Sequence, residues 1–199
     1  MNNITFKQYR NIDLFIFSIM LTLSEAITTI ATNKWFAAQP VAISTTLIFI
    51  CMVMMRWGAY AIIPACIGGL VFCVASGASA NQYLIYIVGN CAALSAMLWF
   101  KAFKKEDIRK SPFKIALFVL TSYAAMQIGR WLISLLFVCK IETLLVYVSI
   151  DIISLLFAVV VMIIMRNTDG MIEDQKAYLF RLQREKEAKN QIDQYDDYN

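Results

Sequence analysis

Residues 113–138 read FKIALFVLTSYAAMQIGRWLISLLFV. A membrane-crossing helix needs about 20 mostly apolar residues, and this stretch is long enough. Its polar residues are not scattered. Tyr123, Gln127, Arg130 and Ser134 recur at i, i+4, i+7 and i+11, which places them on one face of a 3.6-residue helix. In lipid a polar face has to turn inward. The segment is therefore expected to be one wall of a helical bundle, with an arginine facing the interior.

The whole chain agrees. It has 199 residues, 60% hydrophobic and 16% charged, with no histidine and a mean hydropathy of +0.62. A soluble domain carries about a quarter charged residues, so a soluble enzyme, a disordered chain and a secreted disulfide scaffold are excluded. The lack of histidine removes the commonest general base and metal ligand. No catalytic residues, metal site or cofactor are expected. None of the cysteines forms a CxxC pair, and Cys51, Cys66, Cys73 and Cys91 lie in apolar segments, where thiols act as small hydrophobes.

Working outward from 113–138, five further stretches qualify or nearly do. The expected spans are Ile12–Thr32, Val41–Arg56, Trp57–Ser76, Tyr83–Phe100, Phe113–Val138 and Thr143–Met165. The fold class is thus all-α, a polytopic bundle of six transmembrane helices (residues 1–166) followed by a cytoplasmic segment (167–199). The second and third spans meet at MRWGAY around Arg56, Trp57 and Gly58, with almost no loop. The first is too long for a signal-peptide core and lacks an A-x-A site, so it is expected to stay in the protein.

Charge fixes the orientation. One set of connections holds Lys7, Arg10, Arg56, Lys101, Lys104, Lys105, Arg109, Lys110, Lys114 and Arg166, whereas the other holds only Lys34 and Lys140. By the positive-inside rule both termini are cytoplasmic and the protein is a multi-pass cell-membrane protein. The basic surplus reports orientation and contact with membrane lipid, not nucleic acid. After the last span, RNTDG reads as a helix stop with Gly170 as its C-cap. MIEDQKAYLFRLQREKEAKNQ then reads as an amphipathic helix at the membrane surface.

Ionisable groups inside a span are costly and face a bundle interior or a wet cavity. Glu25, Arg130 and Asp151 are three such groups, joined by Asn90 and Gln127. Counting about 1.5 Å per residue, Glu25, Asn90, Arg130 and Asp151 fall roughly 10–15 Å below the outer surface from four different helices. Stripes repeat elsewhere: Ser18, Thr22, Glu25 and Thr29 on the first span, Tyr83, Tyr86 and Asn90 on the fourth, Thr143, Tyr147, Asp151 and Ser154 on the last. These groups are expected to line a ligand cavity in the outer half of the bundle. Tyr86, Tyr123 and Tyr147 would supply flat surfaces and hydroxyls. Trp35, in NKWFAAQP, is either an interface anchor or part of a lid over that cavity. Arg130 and Asp151 have a second reading, a buried ion pair that locks two helices together. Ser18, Thr22 and Ala26 form a small-residue series that permits close helix approach.

In sum of its features — the small-residue series, the glycine-rich GAYAIIPACIGGL, the pair Gly89-Asn90 and the basic connection KAFKKEDIRK — the chain resembles the substrate-binding S component of energy-coupling-factor (ECF) vitamin transporters. The resemblance covers residues 12–166. The family's first helix carries alanines four apart, and here Ser18 and Thr22 stand where alanines would, leaving only Ala26. The resemblance implies a receptor for a vitamin or related micronutrient bound near the outer face. It implies docking through Ser18, Thr22 and Ala26 onto a transmembrane coupling subunit that works with two cytoplasmic ATPases. No G-x-x-x-x-G-K-[ST] loop is present, so the chain hydrolyses nothing itself. The residues alone leave open a membrane accessory or scaffold subunit, or an ion-coupled carrier.

Overall fold

A computed structural model describes residues 5–36, 41–137, 142–168, 170–181 and 184, and the chain is helical, with no strand among the described residues. Helix α1 (Phe6–Trp35) opens with a capping box: the Gln8 N–H donates to the Thr5 hydroxyl and the Thr5 N–H donates to the Gln8 side chain. At 30 residues it is about 45 Å long, more than a hydrocarbon core requires.

Helix α2 (Thr46–Trp57) is buried at every position, as a helix apolar all round must be. It stops at Gly58, whose φ of 64° and ψ of −122° are closed to residues with a Cβ. A 3-10 turn, Gly58–Ala61, leads into α3 (Ile62–Ser76). The chain reverses here. A Cβ placed on Gly68 would lie 2.3 Å from the Thr46 hydroxyl, although a straight helix would hold these residues about 33 Å apart. The break at MRWGAY is thus real, and α2 and α3 are two arms of a hairpin.

Helix α4 (Ala80–Cys91) begins with a second capping box, Ser79 and Gln82, and continues through a 3-10 stretch into the short α5 (Trp99–Ala102). Helix α6 (Lys105–Lys110) precedes α7 (Pro112–Ser134), which has Ser111 as N-cap and proline in its first turn, where the missing N–H costs nothing. Helices α8 (Thr143–Ile150) and α9 (Ile152–Met165) are bent by 46° at Asp151. α2 packs against α1, α3, α7 and α9, and the surrounding helices touch in the order α1, α3, α4, α7, α9.

Among the described residues four helical stretches have the length and apolar composition for crossing a membrane, Phe6–Trp35, Thr46–Ser76 (which folds back at Gly58), Ala80–Ala102 and Pro112–Phe137, with Thr143–Met165 a fifth when its bent pair counts as one. Phe15, Leu23, Ile27, Leu132, Leu156 and Ile164 face outward, an apolar flank suited to lipid.

Three expectations are corrected. The second span is not helical from Val41: residues 41–45 are non-helical, and the helix starts at Thr46. Two threonines and a serine crowd this point, and their side chains favour turns and caps over helix interiors. The last span is not continuous but broken at Asp151. Gly170 is not the C-cap of α9: that helix ends at Met165 with Arg166 as its cap, and Gly170 (φ 78°) sits in a separate turn.

The basic connections do gather at one end of the bundle. Asp13 on α1 receives Arg56 through Nε (3.0 Å) and Nη2 (2.8 Å), together with the Trp57 indole N–H. Arg56 Nη1 donates to the carbonyls of Gly170 and Met171. Lys105 pairs with Asp174 at 3.0 Å and Arg109 with Glu173 at 3.7 Å. Ile172 and Gln175 are buried, Leu179 packs on the core, and Phe180 stacks on Phe6. Residues 170–181 therefore dock on this end, with helical backbone over 175–181. The rest of the expected amphipathic helix, with Glu185 and Lys189, lies outside the described residues.

Gly58→Ala should lower stability in detergent by at least about 1 kcal/mol, because the reversal needs that backbone. Gly77→Asn should cost less, since Gly77 (φ 65°) is an open left-handed cap that asparagine tolerates. Thermal unfolding of the two variants makes the comparison.

Candidate functional site

The α7 stripe is where the sequence puts it: Tyr123, Gln127, Arg130 and Ser134 are all buried. It meets α4 at a crossing without side chains between the backbones. A Cβ on Gly89 would lie 2.7 Å from Arg130 Cα, and one on Gly129 would lie 2.6 Å from the Gly89 carbonyl. Glycine lets the helices approach this closely, and the approach lays the Arg130 side chain beside Asn90.

Arg130 is 2% exposed. Its Nε donates to Asn90 Oδ1 at 2.9 Å, and its Nη1 donates to Gln127 Oε1 at 3.3 Å and to Asp151 Oδ2. Gln127 Nε2 also donates to Asp151 Oδ2, at 3.2 Å, and Asn90 Nδ2 reaches the Ala65 carbonyl at 3.4 Å. The guanidinium lies over the Tyr86 ring, 4.6 Å from its centroid, a cation–π contact. Tyr86 in turn packs on Phe72 and meets Tyr147 edge-on at 6.4 Å. Asn90, Gln127, Arg130, Asp151, Tyr86 and Tyr147 thus come together from α4, α7, α8 and the break before α9. Tyr123 is one turn away from Gln127, its hydroxyl donating to the Val148 carbonyl at 2.8 Å.

Glu25 belongs to a neighbouring centre and has a different role. Its Oε2 accepts the Thr45 N–H (2.7 Å), the Thr45 hydroxyl (2.9 Å) and the Thr46 N–H (3.0 Å). It therefore caps α2 from another helix, where Thr45 supplies no side-chain cap of its own, and its charge suits the positive end of the helix dipole. Glu25 Oε1, Thr29 Oγ1 and Thr46 Oγ1 are buried without a hydrogen-bond partner among the described residues.

The non-helical segment 41–45 ties the two centres together. The Ala42 N–H donates to the Ile150 carbonyl at 3.0 Å, the Ser44 N–H donates to Ser154 Oγ at 2.8 Å, and Ser154 Oγ donates to the Ala42 carbonyl at 3.2 Å. Irregular backbone at membrane depth is tolerated only when protein or a cavity satisfies it, and here α1 and the α8–α9 break do so. Thr45 meets Glu25 and Ser44 meets Ser154, one turn past Asp151, so this short segment links the two centres.

The remaining expected residues stand apart. Trp35 projects from the end of α1, 80% exposed, and is not brought to the network. Thr22 is exposed, and Ser18 and Ala26 are half-buried; Ser18 and Thr22 bond backward to the carbonyls of Leu14 and Ser18. The α1 stripe therefore splits, with Glu25 and Thr29 facing in and Thr22 facing out. Sequence reasoning missed the 41–45 segment, the Gly89–Gly129 crossing and the Asp13–Arg56–Trp57 cluster. Asp13 carried a readable signal, an acid in the first turns of a span with no stated partner.

A planar cation, a carboxylate, two amides and two aromatic rings can hold a charged or aromatic solute. The comparisons add nothing to this geometry, because no family model, curated protein or solved structure matches the chain.

Removing one partner of a buried ion pair costs about 3–5 kcal/mol, whereas replacing both with apolar residues is often neutral. Arg130→Met and Asp151→Leu alone should each destabilise strongly, and the double variant should lose far less than the sum. Denaturation of all four proteins in detergent gives the coupling.

Proposed function

We propose that the protein is the membrane-embedded substrate-binding subunit of an ECF-type transporter and takes up a vitamin or related micronutrient. The observation that carries this is the convergence of Asn90, Gln127, Arg130 and Asp151 with Tyr86 and Tyr147 at a break in a membrane helix. Broken helices with polar residues at the break are a recurrent way to build a solute site within the bilayer. A buried ion pair adds little stability over apolar packing, so stability alone is a poor reason to keep one.

In this reading the reversal at Gly58 makes six passes. α1 leaves the basic end, α2 returns to it, α3 leaves, α4–α5 return, α7 leaves and α8–α9 return. The positive-inside rule then sets both termini in the cytoplasm. The solute enters from the opposite face, beneath the connection that follows Trp35. Its carboxylate or phosphate takes Arg130 in place of an internal partner. Asp151 accepts an amine or ring N–H, and Tyr86 and Tyr147 pack against its plane. Glu25 holds the start of α2 instead of touching the ligand. The outward side of α1 at Ser18, Thr22 and Ala26 meets the coupling subunit, and two cytoplasmic ATPases supply the energy.

One observation favours a second reading, a small accessory or scaffold subunit. Arg130, Asn90, Gln127 and Asp151 satisfy one another and join α4 and α7 to the α8–α9 break, which is what a network that only holds helices together would do. Native mass spectrometry of protein purified from its own membrane separates the two. The receptor reading expects one co-purifying small molecule, retained by Tyr123→Phe and lost with Tyr86→Ala or Tyr147→Ala while the protein stays folded. An empty protein from cells that also hold the coupling subunit and ATPases, with no association among them, would sink it.

A further inference from the structure

The basic connection between α5 and α7 has so far served only to orient the chain, yet it walls a cavity of about 400 Å³ lined by Glu106, Arg109, Lys110, Arg166 and Asn167. We infer that this cavity is a binding site for the phosphate of an anionic membrane lipid. It lies at the basic end of the bundle, away from the Arg130 network.

Three observations carry the inference. The first is charge. Among the described residues the lining contains three cations and one carboxylate. Arg109 is engaged by Glu173 at 3.7 Å, but among the described residues neither Lys110 nor Arg166 forms an ion pair. The second is an unmet donor. Arg166 Nη1 donates to the Lys110 carbonyl at 3.3 Å, which fixes the guanidinium across the ends of α6 and α9. Its Nε is buried and has no acceptor among the described residues. A buried guanidinium N–H without an acceptor is costly, and an arginine fork held in place suits a phosphate. The Asn167 amide can add a donor.

The third observation sets the source of the phosphate. The helix ends that carry the cavity adjoin the lateral apolar surface. Phe113, three residues beyond Lys110, is 69% exposed, and Ile164, two residues before Arg166, is 62% exposed. A free anion would use the cations and leave these side chains idle. A phospholipid uses both, its headgroup in the cavity and its chains along Phe113 and Ile164. Basic pockets between membrane helices on the cytoplasmic side are where such headgroups bind. Glu106 repels a second negative charge, so a headgroup with a single phosphodiester fits best.

The test uses the full chain in neutral detergent, stripped of lipid. Phosphatidylglycerol, phosphatidylcholine or inorganic phosphate is added, and native mass spectrometry and thermal unfolding are read. Phosphatidylglycerol should remain bound and raise the unfolding temperature, and the other two should do neither at equal concentration. Each of Lys110→Gln and Arg166→Gln should weaken it about fivefold, while Lys34→Gln at the far end should leave it unchanged. Should Arg166→Gln not fold, Arg166→Lys, which keeps the charge without the fork, should show partial weakening. Equal retention of the two lipids overturns the inference, as do variants that bind like wild type. Displacement of the lipid by inorganic phosphate would assign the cavity to a free anion instead.

Discussion

A guanidinium placed in the middle of an apolar bundle must bring its counter-charge and its acceptors with it. Arg130 does so from three directions: Asn90 from α4, Gln127 from its own helix and Asp151 from the break between α8 and α9. Everything about that quarter of the molecule follows from the demand. The crossing of α4 and α7 has to be glycine on glycine, because bulkier residues would hold Arg130 away from Asn90. The last membrane-facing helix has to bend, and the bend presents Asp151 to the cation while its freed backbone is taken up by residues 41–45.

The same logic governs the centre of the bundle. α2 starts inside the bundle, and a helix N-terminus buried there exposes N–H groups that no water reaches. Glu25 answers with a carboxylate from α1, and Ser154 supports the approach to it from α9. Glu25 and the Arg130–Asp151 pair, each satisfied by a different device, are thus stitched together by five residues of irregular chain. The segment is short, but it couples α1, α2, α8 and α9.

Much of this was legible beforehand. Helicity, the inward face of α7, the meeting of Asn90, Gln127, Arg130 and Asp151, and the turn at Gly58 all follow from periodicity and from the cost of polar groups in lipid. What periodicity does not report is whether a helix continues past a polar group or yields to it. Residues 41–45 and Asp151 both lie in windows apolar enough to span, and only tertiary hydrogen bonds decide that they break. Glu25 faces inward as its place in the stripe requires, but the stripe carries no sign that its Oε2 caps the start of a neighbouring helix. For Ser18 and Thr22 the failure was angular. They sit on the edge of the buried sector, where small polar residues bond to their own backbone and tolerate either side.

The docking of residues 170–181 carries a practical corollary. Arg56 holds α1 through Asp13 with one side of its guanidinium and the carbonyls of Gly170 and Met171 with the other. Trimming the chain after α9 would strand half of that fork inside the bundle, at the end of α2, the most enclosed helix. A handle for purification or imaging therefore belongs beyond residue 184, where it leaves this keystone undisturbed.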